Sequence, residues 1–209
     1  VPAQTLLVDA ADCDLKNKVD ALATVPGYCI FIDIVGSTEM KQASIYRWIA
    51  LVYNCFSDAN SFFALHKPLK GIGDELMFYI EDQDLVASGE SPLQLYDALY
   101  QIANNRRVDC PPTKIVAAHC CSVYPIAFLP DVRDLYGIDV DRAARLKAID
   151  PKLESRQMLI DSRMYERVKS SYDKTQNKEQ FESFEKLVGP ETFLAKGIPD
   201  PIVAYRANA

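Results

Sequence analysis

The chain is 209 residues long, with a formal net charge of -6 and 49% hydrophobic residues. That length and apolar content suit one sizeable core and exclude two fully independent domains. The acidic balance, with no run of Lys and Arg, excludes an electrostatic footprint for nucleic acid, so a polyanionic substrate needs metal ions or a few local cations. No apolar stretch approaches the roughly 20 residues that span a bilayer, and Val1-Pro2-Ala3 is not a charged segment leading an apolar one. The expectation is a soluble protein trimmed at its first methionine. Cys13, Cys29, Cys55, Cys110, Cys120 and Cys121 show no Cys-x-x-Cys spacing, and only two histidines accompany them. Reduced, mostly buried thiols and a cytoplasmic location follow.

Residues 1–27 read as a polar lead-in with helical character. Residues 28–35 alternate and are rich in Ile, Val and Phe, the pattern of a buried strand. Ile45, Trp48, Ile49, Val52, Phe56, Ala59 and Phe63 then recur at threes and fours, which predicts one long amphipathic helix opened by Ser37 or Thr38 as its cap. Residues 68–72 and 75–81 flank Gly73-Asp74, a pair that favours a two-residue hairpin turn. A helical pattern covers 92–106, a strand 114–123 and a helix 138–148, with short strand and helix signals from Met158 to Tyr205. Strand, helix, hairpin, helix, strand is the order of an α+β, ferredoxin-like fold over residues 28–209: an antiparallel sheet with helices on one face.

That order has a chemical consequence. With the first strand beside the hairpin, strands about 4.8 Å apart let the carboxylates of Asp33 and Asp74 reach one pair of ions. Mg²⁺ commonly uses one or two carboxylates and completes its shell with phosphate oxygens and water, so two aspartates suffice. Gly36 and Gly73 let backbone approach a ligand closely, and free amides near Ser37 and Thr38 suit phosphate oxygens. Either aspartate by itself reads as an ordinary turn residue. The third element is Asp134-Leu135-Tyr136-Gly137-Ile138-Asp139-Val140-Asp141-Arg142-Ala143-Ala144-Arg145-Leu146.

With that segment, the chain resembles the class III nucleotide cyclases, the adenylate and guanylate cyclase family. The matching pieces are Phe31 to Gly36, Lys70 to Asp74, Asp134 to Arg145 and Lys196-Gly197, so the likeness runs from about Tyr28 to Tyr205. The resemblance implies that Asp33 and Asp74 carry two Mg²⁺ or Mn²⁺ ions, with the Ile34 carbonyl a further ligand. It implies that Lys70 and Asp134 read the base, that Arg145 is the transition-state arginine and that Lys196 holds the terminal phosphates. It also implies a head-to-tail homodimer whose sites take metal residues from one subunit and base-reading and arginine residues from the other. The residue types suit the chemistry independently. Metal ions activate the ribose 3′-hydroxyl for in-line attack on the α-phosphorus and neutralise the departing pyrophosphate, while a fixed guanidinium meets the growing charge.

One position departs from the family pattern: Asp141 stands where it has asparagine. As a carboxylate it repels phosphate unless metal or Arg142 offsets it; as a residue of the first helical turn its charge suits the helix dipole. Both readings stay open. So does the base, because a lysine donor and a carboxylate acceptor suit adenine and cytosine alike and uracil in shifted order. A pyrimidine needs a bulky filler where a purine ring would lie, and Tyr46, Trp48 and Tyr53 are the candidates. The Gly-Asp-Glu hairpin and Val-Asp-x-Ala-Ala-Arg helix of a chain that reads as a lone cyclase domain look like the Pycsar pyrimidine cyclases of antiphage defence. That resemblance favours UTP and cyclic UMP ahead of cyclic CMP, with the product read by a separate effector. The alternatives are an adenylate cyclase, a catalytically inactive nucleotide-binding dimer, and a diguanylate cyclase of the GGDEF type; the last lacks support in the missing second glycine and the Ala-Ala-Arg helix.

Overall fold

A computed structural model describes residues 5–9, 11–63, 65–105, 111–129, 132–149 and 156–208. Its backbone is a seven-stranded sheet with a smaller three-stranded sheet beside it. The centre is β2 (Gly27–Ile34), whose Tyr28-Cys29-Ile30-Phe31-Ile32 run is buried on both faces, as an apolar strand with neighbours on each side should be. On one side β2 pairs antiparallel with β4 (Glu75–Glu81), which is joined to β3 (Lys70–Ile72) by the Gly73-Asp74 turn. Gly73 has φ +65, a left-handed conformation that the turn requires and glycine adopts without strain. On the other side β2 pairs antiparallel with β5 (Thr113–Cys120). The order β3-β4-β2-β5 is the predicted ferredoxin-like core. The sheet then continues through β8 (Gln157–Asp161), parallel to β5, and the antiparallel β10 (Ile202–Asn208) and β9 (Leu187–Phe193).

Alternation along the strands sorts side chains between two faces. Tyr28, Ile30 and Ile32 of β2, Leu76, Phe78 and Ile80 of β4, and Ile115 and Ala117 of β5 point into the main core. That core is closed by α3 (Ile45–Phe62), α5 (Pro92–Ala103) and α7 (Ser162–Lys174). The α5 helix starts at a complete capping box, Ser91 with Gln94, and at Pro92. The opposite face carries Cys29, Phe31, Met77, Ala118 and Cys120. It is covered by α6 (Ile138–Ile149), through Ala143 and Leu146. The predicted placement of helices on one face thus describes α3, α5 and α7, whereas α6 lies on the other.

Two further details differ from the sequence reading. The long helix predicted from Ser37 is broken: α2 (Ser37–Ala43) ends at Ser44, whose φ of -165 and ψ of 110 are extended, and the Ser44 side chain accepts from Arg47 N to start α3. Gly36, at φ +71, precedes α2, and Ser37 makes no capping bond. The second difference is the small sheet. Here β6 (Tyr124–Leu129) pairs antiparallel with β7 (Val132–Tyr136) and parallel with β1 (Leu6–Leu7) of the N-terminal segment. Gly137, at φ +154, lets β7 turn into α6, since a Cβ there would lie 2.5 Å from the Ser122 carbonyl oxygen. No helix among the described residues is long and apolar enough to cross a membrane. Among the described residues Cys29, Cys55 and Cys120 are buried thiols and Cys13 and Cys121 exposed ones, none of them in a disulfide, while Cys110 lies outside the described residues.

Candidate active site

The face of the sheet beneath α6 changes character towards the end where β2 finishes. Going along β2, its outward positions run Cys29, Phe31 and then Asp33. In the ladder Asp33 stands opposite Glu75 of β4 on one side and Lys114 of β5 on the other. Three charged residues therefore lie side by side where the preceding rows are apolar. Lys114 Nζ is 3.2 Å from Asp33 Oδ2, and both side chains are largely buried. Glu75, 6% exposed, takes a hydrogen bond from Lys147 of α6. Lys147 also lies over the Phe31 ring, 5.6 Å from its centroid, so the C-terminal end of α6 is tied to this part of the sheet.

Asp74 occupies the hairpin turn, immediately before the residue that faces Asp33, so the two predicted metal aspartates come to one end of the same strand pair. Ile34 is buried at the end of β2, and Val35 N donates to Pro112 O, which anchors the chain as it leaves the sheet. Gly36 and Thr38 are exposed beside it. Ser37 is buried, and its Oγ accepts from Trp48 Nε1 at 2.7 Å. Its hydroxyl is thus engaged in joining α2 to α3.

Lys70 and Asp134 meet. Lys70 Nζ donates to both carboxylate oxygens, at 2.9 and 3.1 Å, although the residues are 64 apart in sequence. Asp134 Oδ1 also accepts from Leu135 N, and the Tyr136 hydroxyl lies 3.5 Å from Oδ2. The register puts Lys70 level with Met77 and Phe31, hence two strands across and roughly 7 Å along from Asp33. Tyr136 packs edge-on against Phe128, with centroids 5.2 Å apart.

Other predicted residues lie apart from this group. Asp141 and Arg145, one turn apart, share the exposed side of α6, whereas Ala143 and Leu146 face the sheet. Lys196 is exposed in the β9–β10 connection, at the end of the sheet where β5 and β8 finish. Asp33 is at the end where β5 begins, roughly 20 Å away by strand rise alone. Within one chain, Lys196 is therefore distant from the aspartates, and Arg145 is on the side of α6 away from the sheet. The proposed aromatic fillers fare differently from Tyr136: Tyr46 and Tyr53 are 79% and 71% exposed, and Trp48 is held against Ser37 and Lys41.

Sequence reasoning missed Glu75, Lys114 and Lys147. Their signal was faint: a lysine opening the apolar run Ile115-Val116-Ala117-Ala118, and a glutamate heading Leu76-Met77-Phe78. Only the register reveals that both stand beside Asp33.

Divalent ions fit this donor set on chemical grounds. Asp33, Asp74 and the Ile34 carbonyl are hard oxygen donors, and the Lys114 ammonium shows that Asp33 already holds a cation. Among the described residues no three His, Cys, Asp or Glu side chains converge as a complete metal cage. Mg²⁺ commonly uses one or two carboxylates and completes its shell with phosphate oxygens and water, so two aspartates and a carbonyl suffice.

Nothing matches this sequence among the protein-family models, and nothing among the curated proteins. Solved structures do match in fold. The adenylyl cyclase CyaB from P. aeruginosa superposes with a TM-score of 0.66 at 16% identity, covering 88% of this chain and 94% of its own. The guanylate cyclase domain of RhGC from Catenaria anguillulae, in complex with GTP, gives 0.64 at 14% identity over 89% and 97%. The guanylyl cyclase Cya2 gives 0.58 at 15% identity over 88% and 94%. The fold is that of a nucleotide cyclase catalytic domain.

Proposed function

We propose that residues 28–209 form the catalytic domain of a metal-dependent nucleotide cyclase, which converts a nucleoside triphosphate to its 3′,5′-cyclic monophosphate and pyrophosphate. One observation carries the reading: the cyclase-type sheet brings Asp33 beside the Gly73-Asp74 turn at one end of β2 and β4, and Lys70 of β3 meets Asp134 of β7 in the smaller sheet, so one chain carries both the metal-holding and the base-reading groups that a head-to-tail pair would combine. Asp33 and Asp74, with the Ile34 carbonyl, would hold Mg²⁺ or Mn²⁺, which when bound acidifies the ribose 3′-hydroxyl and neutralises the pyrophosphate. Lys70 offers a donor and Asp134 an acceptor to one base edge. Gly36 and Thr38 leave exposed backbone beside the metal aspartates for the phosphates, with Ser37 fixing that turn.

Arg145 faces outward and would reach a triphosphate held by a second chain, where its guanidinium can meet charge on the phosphoryl oxygens through paired hydrogen bonds. Lys196 and the base-reading Lys70 and Asp134 belong to the same cross-subunit contribution, and Asp141 stands one helical turn before Arg145 on that surface of α6. Two chains arranged head to tail then make two sites. The exposed apolar residues Ile45, Ile49, Phe128, Leu129 and Ile138 supply surface for such a pairing.

We favour UTP as substrate, with CTP next, and a role in antiviral defence through cyclic UMP read by a separate effector. Besides the resemblance, the support is Tyr136: its ring packs on Phe128 and its hydroxyl lies 3.5 Å from the base-reading carboxylate, so it is a bulky side chain near the base of the kind a pyrimidine site would use as filler. Buried thiols outside any disulfide suit a reducing cytoplasm.

Incubating the protein with each of the four ribonucleoside triphosphates and Mn²⁺, and identifying products by mass, tests the reading. Cyclic UMP or cyclic CMP is the expected product. Cyclic AMP from ATP would turn the assignment to an adenylyl cyclase, a linked dinucleotide to a diguanylate cyclase, and no product from any substrate would overturn catalysis altogether.

A further inference from the structure

Asp33 is flanked by charge on both sides of its strand. Across the β2–β5 ladder is Lys114, with its ammonium on Asp33 Oδ2; across the β2–β4 ladder is Glu75, whose carboxylate is taken by Lys147. These pairs are not solvated surface contacts. The side chains of Asp33 and Glu75 are 19% and 8% exposed and those of both lysines 29%. A charge so placed is screened far less than one in open water, and its removal from a carboxylate is correspondingly felt.

A divalent ion on Asp33 and the Lys114 ammonium compete for the same oxygen. They also repel each other, because two cations within about 4 Å in a partly buried site interact strongly. We infer that Lys114 is a resident counter-ion that any metal must displace, so that Lys114 holds down the metal affinity of the free protein. This inference rests on the reading of Asp33 as a metal ligand. Its consequence concerns the form in which substrate arrives. An ion entering alone must drive the ammonium off Asp33 with nothing to receive it. An ion entering on a triphosphate brings anionic oxygens that offset the displaced charge. The site therefore selects the metal–triphosphate complex over the bare ion.

Mn²⁺ binding to the intact protein, followed by the loss of the free-ion signal in electron paramagnetic resonance without nucleotide, provides the test. Lys114→Met should tighten Mn²⁺ binding by about tenfold or more. Lys147→Met, which frees Glu75 and leaves the Asp33 pair intact, should change it by less than about threefold. Lys114→Arg should keep the wild-type weakness, since charge rather than shape sets the effect. Lys114→Gln repeats the measurement with a polar side chain if methionine disturbs β5, as judged by thermal melting. Unchanged affinity in Lys114→Met and Lys114→Gln, with binding that Asp33→Ala still removes, would overturn the counter-ion role and leave the metal assignment standing. Binding by Lys114→Met that survives Asp33→Ala, or no binding by any variant, would overturn both.

Discussion

The two faces of the central sheet use the same strands for different ends. Beneath α3, α5 and α7, the side chains of Tyr28, Ile30, Ile32, Phe78, Ile80 and Ile115 make an unbroken apolar core. Beneath α6, apolar rows at Cys29, Phe31 and Met77 give way to Asp33, Glu75 and Lys114, with Lys70 at the edge of the Phe31–Met77 row. Because β-strand side chains alternate, residue 32 belongs to the first face and residue 33 to the second. Stability and chemistry are thus separated by one step along the chain, and neighbouring substitutions should have opposite signatures.

The largest expected effect tests that separation directly. Asp33→Ala should lower turnover by about 10³-fold or more, since it removes a ligand to ions that stabilise the transition state, while its melting temperature falls far less than that of Ile32→Ala. Its neighbour Ile32→Ala should cost about 2–5 kcal/mol of stability through the lost burial and the cavity left behind, and the protein that remains folded should keep its turnover. Calorimetric melting and initial rates on the same samples decide the matter. If Asp33→Ala unfolds the domain, or Ile32→Ala inactivates it while folded, the two faces are not divided as proposed.

A second comparison sets Arg145 against Arg163, both arginines on helices flanking the sheet. Arg163 is used within its own chain: its Nη1 donates to Asp139 Oδ1 at 2.7 Å, while Asp139 also accepts from Cys121 N and Ser122 N and so fixes the start of α6. Burial works against the Asp139 charge, but these three donors outweigh it and hold its carboxyl below the ordinary carboxylate range. Arg145 instead stands exposed. Arg145→Ala should reduce turnover by roughly 10²–10³-fold with little change in melting. Mixing it with Asp33→Ala should restore activity, because the heterodimer has one site with both groups. Failure of recovery, with exchange of subunits verified by mass, would remove the shared-site arrangement.

Much of this was legible in the sequence, and the parts that were not have separate physical causes. Alternation in β2, the Gly73-Asp74 turn and the periodicity of α5 and α6 depend on local patterns, so they predicted those elements well. The break at Ser44 escaped because Ile45, Ile49 and Val52 continue a helical period even though Ile45 and Ile49 are solvent-exposed. Periodicity reports a face and not what covers it. The β6–β7 pair escaped because Pro125 interrupts a short apolar run. Lys114 and Glu75 escaped for a different reason, since a charged residue in a strand becomes meaningful only once the cross-strand register is known. The pairing of Lys70 with Asp134 was expected from the resemblance, and the two hydrogen bonds from Lys70 Nζ to the Asp134 carboxylate give it a physical basis.

The smallest effect concerns a carboxylate that serves the fold, to set beside Asp33. Asp161 ends β8 and caps α7, its Oδ1 accepting from Met164 N at 2.8 Å and from His119 N at 3.0 Å. Burial raises its pKa from the ordinary 3.8 to about 6, against the opposing pull of those two amides. Between about pH 4 and pH 6 the folded chain therefore binds more protons at this residue than the unfolded chain does. Stability contributed here is present below the unfolded value and is lost as pH rises through about 6. The loss at pH 7 is on the order of 1–3 kcal/mol. Asp161→Asn retains the Oδ1 acceptor and removes the titration. Relative to the parent, the variant should gain stability as pH goes from 4 to 7, with no advantage at pH 4. Urea unfolding across that range measures the difference. A difference that stays flat with pH would mean that the Asp161 charge is as well accommodated in the fold as in water, and the contrast with the lysine-paired Asp33 would then lose its electrostatic basis.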